Sequence, residues 1–209
     1  MPFLQNAGNS GDLIEPRAVR PPVADFLHED PKSSIDPAVA CAEAGPMNRP
    51  AFPLKGRSSL RKGRSSEIGR IYLVTFCTMQ RRPVFSEWPA ARAFSRSLYS
   101  RALLRQSRLL SWVLMPDHWH GLVELGPSDT LSTLVGRIKG ATANAVNSER
   151  GSRGGLWAVG FHDHALRREE DLRSVARYVV LNPVRAGLAE KAGHYPFWDA
   201  IWLDEEHRG

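Results

Sequence analysis

Cysteine is nearly absent: Cys41 and Cys77 are the only two in 209 residues. That excludes a disulfide framework and a cysteine-ligated zinc site, and leaves Cys77 as a small buried strand residue. No apolar run approaches the length that spans a bilayer. The N-terminus lacks the basic-then-apolar order of a signal peptide. The expected compartment is therefore the cytoplasm, with nucleoid association if the chain binds DNA. Acidic residues thin out along the chain. Residues 1–50 carry seven Asp/Glu against four Lys/Arg, whereas residues 51–209 carry fifteen against twenty-four, a net +9. A basic region of this kind points to a polyanionic partner, most often nucleic acid, or simply to solubility.

Residues 1–54 are rich in Pro, Gly, Asp, Ser and Ala and show no periodic apolar face. They are expected to be a disordered tail. Residues 1–46 are expected to be dispensable, with Met47 as a candidate start. Residues 55–70 form a basic arm in which Gly56-Arg-Ser-Ser59 recurs as Gly63-Arg-Ser-Ser66. Its Lys55, Arg57, Arg61, Lys62, Arg64 and Arg70 either neutralise phosphates or form a solvated linker. Residues 67–190 carry the patterned elements, and 191–209 a C-terminal extension.

Ile71–Thr78 is dense in β-branched and aromatic residues and predicts a central strand. A helix follows to about Gln106, capped near Ser86, with Pro89 in its first turn. Leu110–Leu125 reads as two strands joined at Pro116-Asp117. Leu131–Asn147 predicts a helix capped by Thr130 or Asp129. Trp157–Leu166 contains a strand with Phe161-His162-Asp163-His164, and Glu169–Leu181 predicts a third helix. This order implies an α+β fold: an antiparallel sheet covered by helices on one face.

The hairpin carries the chemistry. Side chains alternate along a strand, so His118 and His120 share one face while Trp119 points to the other. Their Cβ atoms sit roughly 7 Å apart, workable for two imidazoles meeting one ion. Tyr178 and Asn182 stand four apart on one helix face. A phenol and an amide oxygen there can reach a common substrate, although packing for Tyr178 and capping for Asn182 also account for them.

Four stretches, in order, resemble the REP-associated tyrosine transposases, a branch of the insertion-sequence-200-like single-tyrosine HUH transposases. They are Gly69-Arg-Ile-Tyr-Leu-Val-Thr-Phe76, Met115-Pro-Asp-His-Trp-His120, Gly160-Phe-His-Asp-His-Ala-Leu-Arg167 and Ala176-Arg-Tyr-Val-Val-Leu-Asn-Pro-Val-Arg-Ala-Gly-Leu188. Together they span about residues 63–188. The resemblance implies a ferredoxin-like domain, a divalent metal (Mg²⁺ or Mn²⁺), and cleavage of single-stranded DNA beside a REP-like hairpin, by a monomer or homodimer. It puts the metal on His118 and His120, with Asn182 as a further ligand, and the nucleophile on Tyr178. His162, Asp163, His164, Lys139 and Arg185 are then support residues or DNA contacts. Two other classes stay open: a domesticated protein that binds hairpins without cutting, and a zinc hydrolase built on the four histidines. No membrane partner is expected.

Overall fold

The computed structural model describes residues 66–167 and 172–203. Residues 1–65, including arm residues Lys55, Arg57, Arg61, Lys62 and Arg64, lie outside the described residues. Among the described residues, five strands form one antiparallel sheet: β1 (Ile71–Cys77), β2 (Arg108–Met115), β3 (His118–Glu124), β4 (His162–Ala165) and β5 (Trp198–Ala200), in the order β4-β1-β3-β2-β5. The α-helices described beside it are α1 (Trp88–Leu98), α2 (Arg101–Leu104), α3 (Leu131–Glu149), α4 (Leu172–Val180) and α5 (Asn182–Arg185). Strands 4-1-3-2 with α1 and α3 as the crossovers make the expected ferredoxin-like α+β unit.

The hairpin forms because apolar β2 and β3 are joined by only Pro116 and Asp117, which fixes Met115 opposite His118. β3 then pairs with β1, placing Thr75 opposite His120 and Cys77 opposite His118. One face of the sheet meets α1 and α3 through Phe76, Trp112, Leu114, Trp119, Phe94, Leu134 and Ile138. Trp119 is wholly buried and stacks on Phe76 at 4.9 Å between ring centroids. Gly121 makes room for it: a Cβ there would lie 1.9 Å from the indole ring.

Three details depart from the sequence reading, and one choice it left open, the cap of α3, is decided. The helix expected to run from Ser86 to Gln106 is two pieces, since the Ser97 hydroxyl bonds the Phe94 carbonyl and the Tyr99 N–H turns back to Arg96 and Ser97. Thr130 rather than Asp129 caps α3, in a reciprocal box with Thr133, because Asp129 is held by both terminal nitrogens of Arg137. α4 covers the face opposite α1 and α3. There Leu73, Val113, Met115 and Leu122 are as apolar as their counterparts and require cover, which Val175, Ala176, Val179 and Val180 supply. Finally, the extension after residue 190 is part of the sheet: β5 pairs with β2, and the Tyr195 hydroxyl donates to the Leu114 carbonyl at 2.6 Å.

Candidate active site

The histidine pair lies on the face that α4 covers. His118 and His120 are both buried, with ring centroids 4.8 Å apart and planes perpendicular. Nδ1 of His120 is 2.7 Å from the Thr75 hydroxyl, its cross-strand neighbour. Its Nε2 is buried and has no hydrogen-bond partner among the described residues. A bare buried ring nitrogen costs free energy unless something outside the protein meets it. Burial, aided by the nearby charges of His118, Arg185 and Arg81, holds the His120 pKa well below the ordinary histidine value, so the ring is neutral. Neutral imidazole is the ligating form.

His118 is oriented by the turn. Its Nδ1 lies 2.5 Å from a carboxylate oxygen of Asp117, whose other oxygen accepts from Arg81 at 2.9 Å. Burial pushes the Asp117 carboxyl up, but the hydrogen bonds from His118 and Arg81 outweigh it and hold the pKa down to about 2. An ionised carboxylate only accepts, so Nδ1 of His118 is the donor in this contact and Nε2 is the ring nitrogen left for the site. Arg81 reaches Asp117 through two consecutive left-handed residues, Gln80 (φ 57°) and Arg81 (φ 53°). Such non-glycine positions cost on the order of 1–3 kcal/mol each and gather at functional sites.

Tyr178 is half-buried near the end of α4. Asn182 is buried one turn later, and its amide nitrogen donates to the carbonyls of Tyr178 (3.2 Å) and Val179 (3.0 Å). That leaves Oδ1 as its only atom with lone pairs to offer an ion. The Arg185 guanidinium lies 3.9 Å from the centroid of the Tyr178 ring. Its charge also reaches His120.

A model described as "Transposase IS200 like" matches residues 69–182, more than half of the chain. The match runs from the start of β1 through both histidines to Asn182. The chain belongs to the IS200-like transposase family. A REP-associated tyrosine transposase of Escherichia coli (strain K12) is 28% identical over 94 residues, covering 44% of this chain and 54% of the relative. The chain thus spans about half the length of that curated relative. A solved REP-associated tyrosine transposase bound to a REP hairpin shares the fold, with a TM-score of 0.52 and 22% identity over 70% of this chain and 84% of that one.

Within this IS200-like frame the remaining candidates separate. His162 pairs with Thr75, and His164 with Leu73, so both histidines of β4 share the face of His118 and His120. β1 stands between the two pairs, so His120 and His162 are two strand spacings apart, roughly 10 Å. The four histidines therefore do not converge as a zinc hydrolase would need. Among the described residues no cluster of three or more His, Cys, Asp or Glu is placed to hold a metal ion. Asp163 pairs with Val74 and so lies on the opposite face. Lys139 is also across the sheet, over the Phe76 ring, where its ammonium donates to the Ala158 and Gly160 carbonyls at 2.6 and 2.8 Å. It clips the loop before β4 and is not beside the histidines. Arg70 pairs with Glu67 at 2.7 Å at the start of β1. Thr75, Arg81 and Asp117 are the residues that sequence reasoning missed. Asp117 had one available signal, a carboxylate immediately before the first histidine.

Proposed function

We propose that this transposase-family chain is a single-stranded DNA endonuclease and strand transferase that cuts beside hairpins through a 5′-phosphotyrosine link to Tyr178. The buried Nε2 of His120, without a hydrogen-bond partner among the described residues, supports this most. A divalent ion, Mg²⁺ or Mn²⁺, fits the donor set. Each imidazole has Nδ1 engaged by a neighbour, the arrangement that aims Nε2 at a metal. His118 and His120 would hold the ion, with Oδ1 of Asn182 as a third donor. Once bound, such an ion polarises a phosphate oxygen and stabilises the charge that builds up in displacement.

The chain's own residues then do the following. The Tyr178 phenol oxygen, giving its proton to solvent, attacks the scissile phosphorus. The bond from phosphorus to the 3′ oxygen breaks, and that oxygen leaves as a 3′-hydroxyl after taking up a proton. Attack by a 3′-hydroxyl on the phosphotyrosine reverses the step and releases the phenol. The link keeps the energy of the phosphodiester, so strand joining consumes no nucleotide. Single-stranded hairpin DNA suits the basic balance of residues 51–209 and the REP hairpin bound by the structural relative. No helix among the described residues is long and apolar enough to cross a membrane.

The test is incubation of the full chain with labelled single-stranded hairpin DNA and Mn²⁺, followed by a denaturing gel. A protease-sensitive DNA adduct is expected, abolished in Tyr178→Phe while DNA binding persists. Binding without nicks would indicate a domesticated hairpin-binding protein. Nicks without adduct would indicate a hydrolase. Either result overturns the proposal.

A further inference from the structure

We infer that Arg185 is the positioning residue for the Tyr178 phenol, holding the ring by a face-on guanidinium stack rather than serving mainly as a phosphate contact. This rests on the nucleophile role proposed for Tyr178. Tyr178 and Arg185 are seven residues apart, two helical turns, and Asn182 lies between them, so all three fall on one face. The α4–α5 junction keeps that face continuous: Leu181, between the two helices, has φ −85° and ψ 0°. The Asn182 amide, bonded to the Tyr178 and Val179 carbonyls, ties the junction shut. On that face the Arg185 guanidinium reaches 3.9 Å from the ring centroid, well inside the roughly 6 Å range of cation–π attraction.

The stack matters because burial alone does not fix the Tyr178 ring. Its neighbours Val179 and Val180 are buried against the sheet, but Tyr178 itself is only half-buried. In-line attack on phosphorus needs one orientation of the phenol. A guanidinium seated over the ring limits its orientations, and its delocalised, weakly hydrated charge suits that contact better than an ammonium on a flexible stem. α4 packs on the sheet face that carries His118 and His120, so the clamp holds the phenol on the same side of the sheet as those two residues.

Two measurements on the full chain decide it. In single-turnover adduct formation with labelled hairpin DNA and Mn²⁺, Arg185→Ala is expected to slow the rate at saturating DNA on the order of 10- to 100-fold. DNA affinity should change less than about threefold, and Arg185→Lys should fail to restore the rate. Equal losses in affinity and rate, an unchanged rate, or full rescue by lysine would each overturn the inference. The second readout needs neither DNA nor metal. The chain has four tyrosines, so 3-fluorotyrosine labelling gives four ¹⁹F signals, with that of Tyr178 assigned through Tyr178→Phe. Arg185→Ala should move the Tyr178 signal and leave the other three in place, which also shows that the variant is folded. An unmoved Tyr178 signal overturns the stack. If the unsubstituted protein forms no adduct, the transferase reading fails, and the fluorine signal still decides whether Arg185 holds the ring.

Discussion

The Thr75 hydroxyl lies 2.7 Å from Nδ1 of His120, across the pairing of β1 with β3. Thr75 thereby occupies Nδ1 and leaves Nε2 as the ring nitrogen of His120 turned to the site. Thr75→Val keeps the shape and β-branching but removes this partner. It should lower Mn²⁺ affinity about 10-fold or more, the usual cost of losing such a supporting hydrogen bond. Thr75→Ser should stay close to the parent. Titration calorimetry with Mn²⁺ on both variants measures this; equal affinity in Thr75→Val would refute the role.

Asp117 makes stability depend on acid. Its folded-state pKa is about 2, below the ordinary aspartate value of 3.8, so the native state holds fewer protons than the unfolded chain between those values. Its contribution is therefore fully present above about pH 4 and is lost as pH falls through 2. The size is roughly 2 kcal/mol, for a side chain that is mostly shielded. Urea unfolding of ion-free protein from pH 5 to pH 2 should show the loss, and Asp117→Asn should show a shallower slope over the same range.

Gly121→Ala should destabilise the fold by about 2–3 kcal/mol, because the added methyl collides with the buried Trp119 indole and must displace it. A lower melting temperature and an altered near-ultraviolet circular dichroism signal are expected. A parent-like melt would mean that the core has room the geometry does not show.

Replacing Lys55, Arg57, Arg61, Lys62 and Arg64 with glutamine should weaken hairpin-DNA binding and flatten its salt dependence. Each phosphate that is no longer neutralised takes roughly 0.7 from the log–log slope on single strands. Binding measured from 50 to 300 mM NaCl tests it, with an unchanged slope pointing to a solvated linker.

Much of this protein is legible in its residues, and the limits have physical causes. β1, the hairpin and α3 announce themselves through composition and period. The alternation His-Trp-His places two imidazoles on one face and an indole on the other without any knowledge of the fold. The apolar stripe of α4 says that one side is buried, but an amphipathic helix does not encode which face of a sheet it covers. β5 is three residues long, too short for a period. The partnership of Thr75 with His120 spans 45 residues and exists only once β1 and β3 have a register. Lys139 is off its helix's apolar stripe, which distinguishes a surface cation from a loop clip only when the carbonyls of residues 158 and 160 are in view.

The alternation along β3 has a consequence for how this protein can change. Shifting the strand by one residue would put an indole in place of the two imidazoles and push the imidazoles into a packed aromatic core. Losing the site by slippage and unfolding the domain are thus the same event. Inactivation by drift must therefore proceed through replacement of individual side chains on an intact frame. A descendant that has lost these histidines should still fold, with their former positions facing the same side of the sheet.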